Sequence, residues 1–73
     1  MKTIKNGKLT MRESEIVFLL INGKNKVEIA KILKLSISTI KTHVEHIYNK
    51  FGVHNKVELA VYVIKNNLIE INK

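Results

Sequence analysis

Apolar residues recur at helical spacing in four segments of this chain, and each segment begins at a residue suited to cap a helix. In the first, Thr10 is followed three residues later by Glu13, and then by Ile16, Leu19, Leu20 and Gly23. A threonine hydroxyl can accept from the N–H three positions on, while the glutamate there reaches back to the threonine N–H. The spacing therefore predicts a capping box and a helix over about 10–23, closed by Gly23 in a left-handed conformation. The second and fourth segments open with identical quartets, Asn25-Lys26-Val27-Glu28 and Asn55-Lys56-Val57-Glu58. Asparagine is a good N-cap, and a helix dipole favours a glutamate in the first turn. These quartets predict helices over about 26–34 and 56–67. An internal repeat would leave the same trace, but the likeness extends little beyond the quartets, and convergent capping is the simpler account.

The second helix is short, with Ile29, Ala30 and Leu33 on its inner side, and only Lys34 and Leu35 separate it from Ser36. Ser36 caps a third helix over 37–51, where Leu35 can staple against Ile40 and Gly52 supplies the stop. Two short helices joined by so tight a turn, with a small alanine where they approach, form a helix-turn-helix. At about 100° per residue, Ile37, Ile40, Val44, Ile47, Tyr48 and Phe51 make a core stripe on the third helix. The opposite side carries Ser38, Thr39, Thr42, Glu45, His46 and Asn49, flanked by Lys41, His43 and Lys50. Side chains of this kind suit the major groove, whose base edges present donors and acceptors. An ordinary solvated face, with Lys41 and Glu45 as an i,i+4 ion pair, would read the same in isolation.

The fourth segment has two apolar sides. Leu59 and Val63, with Tyr62 beside them, lie on one, while Val57, Val61, Ile64 and Leu68 fall on another at i, i+4, i+7 and i+11. A surface helix of a monomer needs a single apolar stripe. The second predicts a crossed or antiparallel helix pair in a two-fold dimer, with Val57, Val61, Ile64 and Leu68 at its interface. The alternative is cover from the arm at 2–9 or the tail at 69–71.

Composition narrows the classes. A chain of 73 residues makes one small domain, read as a basic N-terminal arm over 1–8 followed by a helix-turn-helix domain over 9–73. There is no cysteine, hence no disulfide and no thiolate metal site, and no proline. The apolar runs at 17–21 and 59–64 fall far short of the roughly 20 residues that cross a bilayer, and the start of the chain lacks an apolar signal core, so a cytoplasmic location is expected. Thirteen Lys and Arg against six Asp and Glu leave a net charge of +7, which favours a polyanionic partner once the turn and the polar face are considered with it. The basic residues are scattered rather than striped, unlike a membrane-surface helix. His43 and His46 have a spacing that a metal could use, but nothing supplies a third ligand, and a phosphate or solvent contact is the expected use, with His46 assigned to phosphate. No nucleophile–base pair, paired carboxylates or glycine-rich phosphate loop stands in the sequence, so neither catalysis nor a cofactor is expected.

The residues also resemble a known family, the LuxR/FixJ/GerE-type helix-turn-helix. The matching pieces are Leu9-Thr10, Arg12-Glu13, Glu15-Ile16, Leu19-Leu20 and Gly23, then Glu28-Ile29-Ala30, Leu33, Ser36, Thr39-Ile40-Lys41 and His43. Ile47, Lys50-Phe51-Gly52-Val53, Asn55-Lys56, Glu58-Leu59 and Leu68-Ile69 complete a run that covers roughly 9–69, in length similar to the stand-alone GerE-like members. The resemblance implies an all-α, four-helix, often dimeric regulator of transcription that binds double-stranded DNA. It implies base reading at Lys41, Thr42 and Glu45, to which the outward face adds Ser38 and Asn49. It implies phosphate contacts at Thr39, His43, Lys50, Asn25, Lys26, Asn55 and Lys56. Glu45 is acidic where relatives carry a basic residue, so it either accepts from a cytosine amino group or pairs with Lys41. Asn25 stands for the more usual hydroxyl cap, and Lys56 for a commoner arginine.

The expected function is sequence-specific binding of duplex DNA as a homodimer, with a partner regulator or RNA polymerase as further partners. With no sensing domain ahead of Leu9, control is expected from protein amount or from a partner. An interaction protein that heterodimerises with a longer relative and inhibits it would use the same fourth helix, and a promoter reader like region four of sigma factors has a related fold.

Overall fold

The computed structural model describes residues 2–4 and 9–71, with side chains described for 9–68. Four helices form: α1 (Met11–Ile21), α2 (Lys26–Leu33), α3 (Ile37–Phe51) and α4 (Lys56–Lys65). Two three-residue strands, β1 (Lys2–Ile4) and β2 (Ile69–Ile71), pair antiparallel with Lys2 opposite Ile71 and Ile4 opposite Ile69. This ribbon, which runs beside α1, is an addition to the helices that the hydrophobic pattern predicts. β1 lies within the segment expected as a basic arm, whose residues 1 and 5–8 lie outside the described residues, as do 72 and 73.

Each helix begins where its cap chemistry dictates. At α1 the Glu13 N–H donates to Thr10 Oγ1 (3.1 Å) and the Thr10 N–H donates to Glu13 Oε1 (3.0 Å), closing the expected box. Asn25 and Glu28 make the same reciprocal pair at α2, at 2.9 and 3.0 Å. At α4 the identical quartet behaves differently. Asn55 still caps the Glu58 N–H (2.9 Å), but the Glu58 carboxylate accepts from the N–H of His54, one residue earlier (2.7 Å).

Three of the four helices end short of the periodic pattern. α1 stops at Ile21, and Gly23 (φ +88°) turns the chain beyond it. α2 stops at Leu33 because Lys34 adopts a left-handed conformation (φ 58°, ψ 43°), with the Leu35 N–H returning to the Ala30 carbonyl at 3.0 Å. α3 ends at Phe51 as expected, with Gly52 at φ +68°. α4 stops at Lys65, two residues early, because Asn67 (φ 51°) reverses the chain and the Leu68 N–H bonds back to Val63. Asparagine tolerates this region better than most residues with a Cβ, so it can serve where glycine usually stands.

The core is built from one face of each helix: Ile16, Val17 and Leu20 of α1, Ile29 and Ala30 of α2, Ile40, Val44, Ile47 and Phe51 of α3, and Leu59 and Val63 of α4. Phe51 and Tyr62 stack with ring centroids 4.5 Å apart. Burial of each large side chain contributes about 1.5–3 kcal/mol, so this apolar contact is the main force holding four short helices together. α3 packs against α1, α2 and α4 alike, which fixes its orientation while engaging only its inner side.

Candidate nucleic-acid interface

Because the inner stripe of α3 is spent on the core, its outer side faces solvent. Ser38, Lys41, Thr42, Glu45, His46 and Asn49 are all exposed, while Thr39 and His43 on the flank are half-buried. The tight connection through Lys34 and Leu35 sets the start of α3 beside the end of α2. Ser36 accepts from the Thr39 N–H (3.1 Å), and its hydroxyl meets the Thr39 hydroxyl at 2.8 Å. The Thr39 side chain is thus engaged with the cap. Thr42 donates its hydroxyl proton to the Ser38 carbonyl at 3.1 Å, leaving it only acceptor lone pairs and a methyl for an outside partner.

The i,i+4 pair between Lys41 and Glu45 that a solvated helix face would use is absent among the described residues. Both side chains are exposed, with an ammonium donor and a carboxylate acceptor on one strip with Ser38 and Asn49. That strip can offer hydrogen bonds of both senses to base edges. Asn25, Lys26, Asn55 and Lys56 are exposed at the starts of α2 and α4. There the caps satisfy the third N–H of each helix, while those of the first two residues have no helical acceptor and point outward with the positive end of the dipole.

Lys50, expected at a phosphate, is drawn toward α1. Its ammonium lies 2.5 Å from Glu13 Oε1, and the side chain is only 34% exposed. Glu13, at 4% exposure, is the buried charged residue among the described residues. Burial by itself raises the carboxyl pKa, but the hydrogen bonds from Lys50 and from the Thr10 N–H, with the positive charges of Lys50 and His43, outweigh it and hold the pKa below the ordinary value. The sequence points to Glu13 only as a cap. Its partner is 37 residues away, beyond any local spacing rule.

On α4 the two apolar sides separate as the pattern implies. Leu59 and Val63 are fully buried, whereas Val57 (72%), Val61 (47%) and Ile64 (67%) are exposed, so the second stripe stands open to solvent. Leu68, expected on the same stripe, packs partly buried against the core, since the chain has left the helix by then. Val57 and Val61 line a shallow groove with Val53, Tyr62 and Lys65. Among the described residues no cluster of three or more His, Cys, Asp or Glu is placed to hold a metal, and no helix is long and apolar enough to cross a membrane.

Residues 7–63 match the family model of bacterial regulatory proteins of the luxR family. This chain belongs to that family. It is 41% identical over 61 residues to the transcriptional regulatory protein LiaR of Bacillus subtilis, a match spanning 84% of this chain and 29% of LiaR. It is 39% identical over 62 residues to the response regulator protein VraR of Staphylococcus aureus, across 85% of this chain and 30% of VraR. The fold is similar to that of the Vibrio cholerae VqmA dimer solved in the absence of target DNA, with a TM-score of 0.80, 35% identity, and coverage of 86% of this chain and 28% of VqmA. It is also similar to the response regulator ChrA of a heme-sensing two-component system, with a TM-score of 0.77, 37% identity, and coverage of 82% and 30%. The chain thus spans under a third of the length of these relatives.

Proposed function

We propose that this chain binds double-stranded DNA in a sequence-specific way and regulates transcription, with α3 lying in the major groove. The single observation that carries the reading is the division of α3. Its apolar side packs against three other helices, while its opposite side leaves Ser38, Lys41, Thr42, Glu45 and Asn49 in solvent. Lys41, Glu45, Ser38 and Asn49 read base edges, and the Thr42 methyl suits the methyl group of thymine. Thr39, His43, His46 and the starts of α2 and α4, at Asn25, Lys26, Asn55 and Lys56, take phosphates and release counterions. The regulators LiaR and VraR and the target DNA of VqmA support the reading by likeness.

The functional unit in this proposal is a homodimer joined through Val57, Val61 and Ile64 of α4, the exposed stripe that a monomer does not need. Two copies of α3 then enter successive major grooves about one helical turn apart, and the preferred site is a pseudo-palindrome. In vitro selection from random duplexes tests both parts. The expected result is an enriched motif with two related half-sites. Failure to enrich any sequence, together with no retention of duplex at low salt, rejects the function. A single enriched half-site rejects only the dimer.

A further inference from the structure

We propose that buried Glu13 is a positioning residue that withholds Lys50 from nucleic acid, so that the grip of α3 falls on its outward strip rather than on this flank. The inference rests on the DNA reading above. Three observations carry it. First, Lys50 stands on the same side of α3 as His43, two turns earlier, on the flank next to the phosphate-facing Thr39. By position alone Lys50 would be a phosphate ligand. Second, its ammonium is held at Glu13 Oε1, and Glu13 itself is 4% exposed, so the carboxylate cannot swing out with the lysine. Third, Glu13 is fixed at both ends, because the Thr10 N–H donates to Oε1 and the Glu13 N–H donates to Thr10 Oγ1.

A pair anchored in this way behaves unlike a surface ion pair, whose partners exchange readily with solvent and phosphate. For Lys50 to reach a phosphate it would have to leave a carboxylate with little access to water, and stripping a buried charge of its partner is more costly than parting two exposed ones. The carboxylate also lies within electrostatic reach of His43 on the same flank. The flank is thereby made nearly neutral, although its residue types are basic. Phosphate attraction is blind to sequence, so a neutral flank lowers the share of affinity that every duplex receives equally.

The test is a double-mutant cycle of Glu13→Gln and Lys50→Gln, with affinity for a random-sequence duplex followed between 50 and 200 mM salt. Glutamine can still close the capping box, so α1 keeps its start, and far-UV circular dichroism checks that each variant is folded. Lys50→Gln alone is expected to leave the salt slope unchanged. Glu13→Gln is expected to bind tighter and to steepen the slope by about 0.9, so its advantage over the parent shrinks about 3-fold across that salt range. In the Lys50→Gln background that gain should vanish, whereas a general effect of net charge would persist.

Mass-spectrometric labelling of amines reads the pair without DNA. Lys50 should react several-fold more slowly than exposed Lys41, and should lose that protection in Glu13→Gln. A slope that falls by about 0.9 on Lys50→Gln alone overturns the inference, because Lys50 then meets phosphate despite Glu13. A gain that survives in the double variant, or Lys50 labelling as fast as Lys41 in the parent chain, overturns it as well. This measurement applies even if Glu13→Gln fails to fold. A parent chain that binds no duplex at 50 mM salt instead removes the DNA reading, and the inference with it.

Discussion

The turn that aims α3 contains a residue under backbone strain, and replacing it should strengthen the protein. Lys34 sits at φ 58° and ψ 43°, where an L-residue brings its Cβ too close to the backbone at a cost of about 1–2 kcal/mol. Glycine carries no such penalty, but its freer unfolded chain returns about 0.4–1 kcal/mol in the opposite sense. Nothing else changes. The Lys34 side chain is exposed and has no hydrogen bond or ion pair among the described residues, and its N–H to the Ala30 carbonyl is kept. Lys34→Gly should therefore stabilise by about 0.5–1 kcal/mol, the difference between those two terms. For a domain of this size each kcal/mol moves Tm by about 4–8 °C, so thermal unfolding by circular dichroism resolves it. Lys34→Val is the opposing control, since a β-branched side chain fits the left-handed region worst, and it should lower Tm. A Lys34→Gly variant less stable than the parent would refute the strain argument. It would mean that the unfolded state, or contacts of the lysine stem, governs this position.

Three other outcomes follow from the same structure. Lys41→Ala should cost about 1–3 kcal/mol on a preferred site and relax base choice there, while Lys26→Ala should weaken all duplexes alike and flatten the salt slope by about 0.9. Equal losses on specific and random DNA would refute that division of roles. Val61→Glu places a charge on the exposed α4 stripe and should yield a monomer by sedimentation equilibrium, against a parent that dimerises; an unchanged mass would count against the α4 interface. The folded pKa of Glu13 lies below its ordinary 4.5, so its contribution to stability is fully present above that pH and is lost as the pH falls through the folded value. The Tm advantage of the parent over Glu13→Gln should accordingly shrink on acidification, and a constant gap would exclude the linkage.

What could be read from the sequence was local. Thr10 with Glu13, Asn25 with Glu28, Ser36 and Asn55 mark helix starts because capping acts over three residues, and the polar side of α3 follows from periodicity within a single helix. Helix ends were less legible. Gly52 announces its turn, but Lys34 gives no sign of a left-handed conformation, which the compact connection to Ser36 imposes on it. Leu68 shows how a good rule fails past its range. Spacing of i+11 from Val57 assumes a helix that persists, yet Asn67 ends it and turns Leu68 back toward the core. The asparagine pair at 66 and 67 was the available signal. The ribbon of β1 and β2 and the Glu13–Lys50 pair were beyond such rules, because each joins residues far apart in the chain.

In the function proposed above, the outer strip of α3 is the surface that meets the duplex. Titration of a selected duplex into the isotopically labelled chain, followed residue by residue through amide chemical shifts, tests it most directly. The largest changes are expected at Ser38, Lys41, Thr42, Glu45 and Asn49, with smaller ones at Lys26 and Lys56. Changes confined to the exposed stripe of α4 or to α1, with the α3 strip unmoved at saturation, would contradict it.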